Sequence, residues 1–366
     1  MRLTLSIITM LLCAALPAQD LIHELGALYN QQQYDAVIKY KLGKKDNVPA
    51  KAWYYVAMAY YMKEDDKNAM KYMDVALETG PVDYDMFYYK GMILFYQKAY
   101  RESLPFFDKA IALLPNEPDF CASKAEAHRY LGDTLLAEEY FQRATRLPDC
   151  KPRVWILLAE VYQDLDKKEH AFNAYKTALT QLAVTDENYQ TCLFNMGLLA
   201  QLSGKPVEAK DAFEKHVATY PKDFHAVSKL IQTYYALGEY DKAEPYKKIM
   251  HQAHKEKKLQ KELENGFCFD QFKFNDSLVM VYENFDKEGD DFLSRKIDFI
   301  ITFRGEILYT ISLETDALMS EDKKHAKFVL ATYRGTMIRT HWQHVFIEPY
   351  KYPEVKLAVL ELLKEG

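Results

Sequence analysis

A spacing of 34 residues between like side chains runs through the first two thirds of the chain. It restricts the possible folds more than any other feature. In the unit starting at Ala50 the marked slots hold Trp53, Val56, Ala57, Tyr60, Ala69, Met73, Ala76 and Pro81. One period later they hold Phe87, Lys90, Gly91, Leu94, Ser103, Phe107, Ala110 and Pro115. Then come Cys121, Lys124, Ala125, His128, Ala137, Phe141 and Ala144, with Pro148 one place early. Trp155, Leu158, Ala159, Tyr162, Ala171, Tyr175 and Ala178 follow. After four extra residues the register resumes with Leu193, Met196, Gly197, Ala200, Ala209, Phe213 and Pro221. A seventh unit carries Val227, Leu230, Tyr234, Gly238, Ala243 and Met250; a worn first one carries Leu25, Leu28, Ala36, Tyr40 and Pro49.

Each slot has a physical reason. Ala57, Gly91, Ala125, Ala159 and Gly197 are small enough for two helices to approach closely, and Ala69, Ala137, Ala171, Ala209 and Ala243 do the same from the second helix. Phe107, Phe141, Tyr175 and Phe213 fill space between units. The prolines end one unit and open the next. Gly132, Gly204 and Gly238 fall at the turn inside a unit, where a left-handed residue is useful. With these slots the chain resembles the tetratricopeptide repeat family over about residues 17–257. The resemblance implies an all-α solenoid of about seven antiparallel helix pairs, a groove, and a binding scaffold rather than an enzyme. Ile231 and Lys247 depart from the usual small and large residues of their slots, as suits a terminal unit.

In this family the first helix of each unit faces the groove. Carried over residue by residue, that implies a partner-binding wall of Tyr54, Tyr55, Met58, Tyr61, Tyr88, Tyr89, Met92, Phe95 and Tyr96. It turns polar at Glu126 and Arg129, with Asp119, Ser123 and Tyr130 beside them and Arg153, Glu160 and Asp164 one unit on. Tyrosine and methionine surfaces suit an extended or helical peptide with apolar anchors. Tyr54, Tyr88 and Met92 are expected to be exposed. The competing reading is that the rings only cover a narrow superhelix.

The helical pattern is expected to close with a charged helix running from His251 to Asn265-Gly266, making 258–266 a linker. Beyond it the period changes from 3.6 to 2. Strands are expected over 267–274, 278–285, 296–303, 306–314, 326–333 and 336–347. Asn275-Asp276-Ser277, Arg304-Gly305 and Arg334-Gly335 read as turns. Pro353 opens a helix with Val355, Ala358, Val359, Leu362 and Leu363 on one face. The fold class is therefore multi-domain: a repeat solenoid over 19–257, then a C-terminal α+β domain over 267–366, a six-stranded antiparallel meander with one terminal helix.

The chemistry of an enzyme is not visible. Gly-rich phosphate loops, nucleophile elbows, zinc-protease pairs and cysteine-pair motifs do not occur, and no cofactor or metal is expected. His251 and His254 share a helix face but lack a third ligand. Asp286–Asp291 reads as a hairpin loop, not a calcium loop. Arg339 and His341 share a strand face and form a possible C-terminal cleft, which gives the alternative function: a small-ligand or glycan-binding module, or a minor enzyme, tethered by the repeats. The net charge of −6 argues against a nucleic-acid partner. A protein or peptide partner is expected instead.

Met1-Arg2, the apolar run Leu3–Leu16 and the small residues through Ala18 form an export-signal pattern, too short to span a bilayer. Cleavage is expected after Ala18, or after Ala15; Leu12 before Cys13 argues against a lipoprotein. No membrane span is expected in the rest. A bacterial periplasm or cell surface is the expected location. Four cysteines then remain. Cys121 and Cys150 lie at the same edge of neighbouring units, either bridged or as a core thiol and a loop thiol. Cys192 and Cys268 are expected reduced and buried.

Overall fold

The structure is a computed structural model that describes residues 18–285, 295–316, 325–333, 336–339, 344–346 and 352–364. The export-signal run, the 286–291 loop and His341 lie outside these residues. The chain divides into two compact units, Met1–Lys167 and Lys168–Gly366.

The first unit holds nine helices among the described residues. They are α1 (Ala18–Asn30), α2 (Tyr34–Lys39), α3 (Ala50–Met62), α4 (Asp66–Glu78), α5 (Tyr84–Tyr96), α6 (Tyr100–Leu113), α7 (Pro118–Tyr130), α8 (Thr134–Thr145) and α9 (Pro152–Asp164). The helix starts follow from local chemistry. Asp65 and Asp83 accept the backbone N–H groups of Asn68 and Met86, and Pro118 and Pro152 occupy first turns where no donor is lost. The turn between the helices of a unit takes a left-handed residue each time: Glu64, Lys98, Gly132 and Asp166, each 34 residues after the last. Only one of the four is glycine, so the turn geometry is imposed by the packing of the pair.

That packing is a ring set into a gap. A Cβ on Gly91 would lie 2.6 Å from the Phe107 ring, so no larger residue fits without displacing it. Ala57, Ala125 and Ala159 occupy the equivalent slot, and all three are buried. Cys121 is fully buried in α7 and Cys150 lies half-buried in the loop before α9. Both are free thiols, so the bridge weighed between them is not formed. Gly91→Leu is expected to destabilise the first unit by at least about 1–3 kcal/mol through overpacking. An unchanged urea midpoint would contradict the ring-in-gap arrangement.

The second unit begins with five helices, α10 (Lys168–Gln181), α11 (Glu187–Leu202), α12 (Pro206–Thr219), α13 (Phe224–Leu237) and α14 (Tyr240–Lys255). The ring-in-gap contact recurs, with a Cβ on Gly197 falling 2.7 Å from Phe213. The expected charged helix stops ten residues early. Lys257 takes a left-handed backbone after α14, and Gly266 belongs to the sheet instead. There φ is +152°, and a Cβ would sit 2.4 Å from the Glu283 carbonyl oxygen.

The sheet runs β1 (Gly266–Phe274), β2 (Ser277–Asn284), β3 (Arg295–Phe303), β4 (Glu306–Asp316), β5 (His325–Tyr333) and β6 (Thr336–Arg339), each antiparallel to the next. β7 (His344–Phe346) also pairs with β5, so the single strand expected over 336–347 is described as two segments. Arg304 and Gly305 both take positive φ in the turn from β3 to β4, as expected. Ile297, Phe299 and Ile301 alternate inward along β3. The terminal helix α15 (Tyr352–Lys364) adds Tyr352, Val355 and Val359 to the same core.

This core does not stop where the periodicity changes. One apolar cluster runs from Phe213, Leu230, Tyr234 and Met250 through Phe267, Phe269, Val281 and Phe299 to Val359. β1 lies along α13, where Gln232 Nε2 donates to the Cys268 carbonyl at 2.8 Å and Tyr235 meets Phe269 edge-on at 4.9 Å. Cys268 is half-buried rather than buried, its Sγ donating to the Asp270 carbonyl; Cys192 is buried as expected.

Two buried carboxylates tie the sheet to its helices. Glu283, wholly buried, meets Lys247 Nζ and His251 Nε2, each at 2.6 Å. Asp270 accepts from Tyr352 Oη at 2.5 Å and from Lys356 Nζ at 2.9 Å. His251 and His254 are therefore not on a solvated face: His254 stacks on Phe285 at 4.3 Å. Glu283→Ala is expected to cost about 3–5 kcal/mol, because it removes the close carboxylate from the buried Lys247 charge, whose other carboxylate, Glu244, is 4.0 Å away. The double change Lys247→Met/Glu283→Leu should recover most of that loss in an equilibrium melt.

Asp223 clasps three helices. Its carboxylate meets His216 Nε2 at 2.8 Å and Gln190 Nε2 at 3.0 Å, and caps Ala226 N–H. Burial alone would raise this carboxyl, but His216, Ala226 and Gln190 hold it down to about 2. A carboxyl depressed in the folded state stabilises fully above its unfolded pKa of about 3.9, and the gain fades as pH falls towards 2. Wild type should therefore lose on the order of 2 kcal/mol more than Asp223→Asn between pH 5 and pH 2. Parallel acid melts check this; equal losses would contradict it.

Candidate functional site

The first helices α3, α5, α7 and α9 place equivalent residues in columns. One column holds Tyr54, Tyr88, Ala122 and Ile156; another Met58, Met92, Glu126 and Glu160; a third Tyr61, Phe95, Arg129 and Gln163. Each changes from apolar to smaller or polar between α5 and α7.

The aromatic part is a connected array. Tyr61 lies 6.4 Å from Tyr89 and 6.3 Å from Tyr96, centroid to centroid. Tyr88 meets Tyr89 edge-on at 5.2 Å and Phe120 at 4.7 Å. Phe95 meets Tyr96 and Tyr130 edge-on, and Tyr130 stacks on Tyr100 at 4.8 Å. These contacts orient the rings at about 0.5–1.5 kcal/mol per pair.

Depth divides the expected residues. Tyr54 is 7% exposed and Met58 2%, which corrects the expectation that Tyr54 is a surface anchor. Tyr54 packs against Tyr55 and Tyr89 and carries the Lys51 ammonium over its ring, 4.2 Å from the centroid. Tyr55, Tyr61, Tyr88, Tyr89, Met92 and Phe95 are half-buried. Tyr96 and Tyr130 are 58% and 63% exposed. Burial pushes the Tyr88 hydroxyl up to about 12, against its hydrogen bond with Ser123 Oγ at 3.3 Å.

The charged part is paired across neighbouring helices. Lys51 bonds Asp83 at 2.6 Å and Asp85 at 3.4 Å. Burial alone would lower this lysine, but the two aspartates outweigh it and hold it above the ordinary range. Lys151 bonds Asp119, Arg153 bonds Glu126 at 2.9 Å, and Arg129 bonds Glu160 at 2.5 Å and Asp164 at 3.3 Å. Glu126 and Arg129, expected to face a partner, already have partners in the chain. Burial raises the Glu126 carboxyl despite Arg153.

Between the two parts lies a cavity of about 380 Å³. Tyr88, Met92, Phe95, Tyr96 and Tyr130 form its ring-bearing side, and Asp119, Ser123, Glu126, Lys151 and Arg153 its polar side. It gathers Tyr88, Met92, Phe95, Tyr96 and Glu126 of the expected residues and leaves out Tyr89, Arg129 and those of α3. Lys151 and Val154 also line it and were missed, because the slot numbering starts after the loop that carries Lys151 and passes over Val154.

Arg339 is the last residue of β6, and no observation joins it to His341, which lies outside the described residues. Among the described residues no group of three or more His, Cys, Asp or Glu side chains could hold a metal ion. No described helix is long and apolar enough to cross a membrane.

Helix pairs at a constant period, joined by a left-handed turn and a ring-in-gap contact, define a helical-repeat protein. Residues 118–148 and 152–181 match the tetratricopeptide repeat family; the chain carries these repeats, and the rest of it is unmatched. No curated protein matches it in sequence. Among solved structures it is similar to MamA from Desulfovibrio magneticus, at 17% identity over 50% of this chain and 99% of that one, with a TM-score of 0.42. The C-terminal part of a repeat-containing protein from Cytophaga hutchinsonii shares 16% identity over 64% and 93%, with a TM-score of 0.49. PilF of Pseudomonas aeruginosa shares 16% over 56% and 92%, with a TM-score of 0.45. At these identities none of them assigns an activity or a partner.

Proposed function

We propose that the chain is an exported, non-catalytic interaction scaffold that binds a peptide or protein segment along the face of α3, α5, α7 and α9. The observation that carries this reading is the cavity between α5, α7 and the start of α9. Its rings come from successive helices, are held by their neighbours, and remain half or more exposed at Tyr96 and Tyr130. Aromatic side chains held in place lose little freedom on binding, which suits them as anchors. The array over 19–257 is the binding element. The sheet over 267–366 caps it, a role supported by the core that α13 and α14 share with β1–β4. Export is supported by the Leu3–Leu16 run, with the mature chain starting near Gln19.

Purified full chain, wild type and Tyr96→Ala/Tyr130→Ala, serves as bait for envelope extracts. A captured protein that the variant loses, with stability unchanged to within about 0.5 kcal/mol, is the expected result. Identical capture by both baits would sink the groove reading. Sequencing the mature N-terminus tests export: a chain that retains Met1 would contradict it.

A further inference from the structure

We propose that the cavity between α5, α7 and the start of α9 receives a basic side chain, arginine or lysine, of the bound segment. The inference rests on the reading of this face as a peptide-binding surface and adds the chemistry of one anchor.

The first argument is how this chain accommodates its own cations. Lys51 Nζ lies 4.2 Å from the Tyr54 ring centroid and 2.6 Å from Asp83. Lys90 Nζ lies 4.5 Å from the Phe106 ring and 2.5 Å from Asp74. Lys124 Nζ lies 4.1 Å from the Tyr140 ring and bonds Asp108. In each case an aromatic face and at least one carboxylate stand around an ammonium group. A ring face attracts a cation through its quadrupole, and more strongly once water is displaced. The cavity offers both components again: the rings of Tyr88, Phe95, Tyr96 and Tyr130, and the carboxylates of Glu126 and Asp119. Among the described residues no lysine or arginine stands over any of these four rings.

The second argument is which charges are free to move. The cavity lining is formally neutral, since Arg153 pairs with Glu126 and Lys151 with Asp119. The members of each pair are not equivalent. The Glu126 and Asp119 side chains are short and only 14% and 33% exposed, whereas Arg153 and Lys151 are long and 66% and 64% exposed. An entering cation displaces the two flexible side chains into water and keeps the two fixed carboxylates. An entering anion meets carboxylates that cannot retreat. Ion pairs as exposed as these are weak and readily exchanged. The volume, about 380 Å³, lies within the ordinary range of roughly 300–1,000 Å³ for ligand pockets.

The test uses four peptides, acetyl-Gly-Ala-X-Ala-Gly-amide, with arginine, citrulline, leucine or glutamate at X. Each is titrated into the full chain with the Met92 methyl resonance as reporter. The expected result is that arginine binds about tenfold more tightly than its uncharged isostere citrulline. Glu126→Gln should remove most of that difference. Tyr96→Phe should keep it, because the ring face suffices, whereas Tyr96→Leu should reduce it; Tyr96 is exposed enough for both variants to fold. Preference for leucine, citrulline or glutamate overturns the cationic anchor and leaves the peptide-binding reading standing. Failure of all four to move Met92 at millimolar concentration also overturns the anchor, and the capture experiment judges the wider reading separately. Concentration-dependent self-association that Tyr96→Leu abolishes would assign the cavity to a second copy and overturn it as well.

Discussion

The aromatic ring lodged in a backbone gap is the contact on which the helical part depends. Phe107 lies where a side chain on Gly91 would be, and Phe213 lies where one on Gly197 would be. The contact sets how closely the two helices of a pair approach, and that distance fixes the turn between them. Glu64, Lys98 and Asp166 accept a left-handed backbone there without glycine's freedom. The strain is modest beside the burial of a whole phenylalanine. The ring enters from the second helix. The columns of the candidate site still touch that second helix: Tyr88 lies 6.1 Å from the Phe107 ring and Phe95 meets Tyr100 edge-on at 5.2 Å.

A second recurring contact sets a lysine ammonium over an aromatic ring, as at Lys51, Lys90 and Lys124. Lys247 is the deepest example. It stands in a slot where the repeat pattern calls for a large apolar side chain, yet it is buried over the Phe269 ring at 4.0 Å and paired with Glu283. A buried pair of this kind is weak evidence for stability, since desolvation offsets much of the attraction. Its effect is on register. Glu283 on β2 finds both Lys247 and His251 only when the strand and α14 are aligned, so a slipped strand would bury a bare carboxylate.

The repeat register was legible because small residues and rings recur at one spacing, and helix pairs begin where that spacing places them, α3 at Ala50 among them. The strands were legible from alternation, as along Ile297, Phe299 and Ile301. Depth was not. The slots of Tyr54 and Tyr88 are equivalent in sequence, yet Tyr54 is buried beneath Lys51, Tyr55 and Tyr89 while Tyr88 borders a cavity. A slot number gives a direction around a helix and says nothing of how neighbouring side chains close over it. The end of α14 was missed for a related reason. The charged run after His251 reads as solvated helix, but His251 and His254 are engaged by Glu283 and Phe285, contacts made from the sheet. Pairings such as Glu126 with Arg153 depend on which residues of successive helices meet, which a period alone does not specify.

The seating of β1 against α13 has a consequence for the order in which the chain assembles. Helix pairs of the first unit close through contacts between residues a few tens of positions apart, so each can form soon after its own segment is available. The last pair cannot be completed that way. Its core needs Phe267 and Phe269, and Asp270 within β1 waits for Tyr352 and Lys356, which lie 82 and 86 residues further along. Contacts of such sequence separation form late, because a long loop must be closed before they contribute. The last pair is thus sealed from the end of the chain, and until β1 docks the apolar face of α13 stays open to whatever else binds apolar surface.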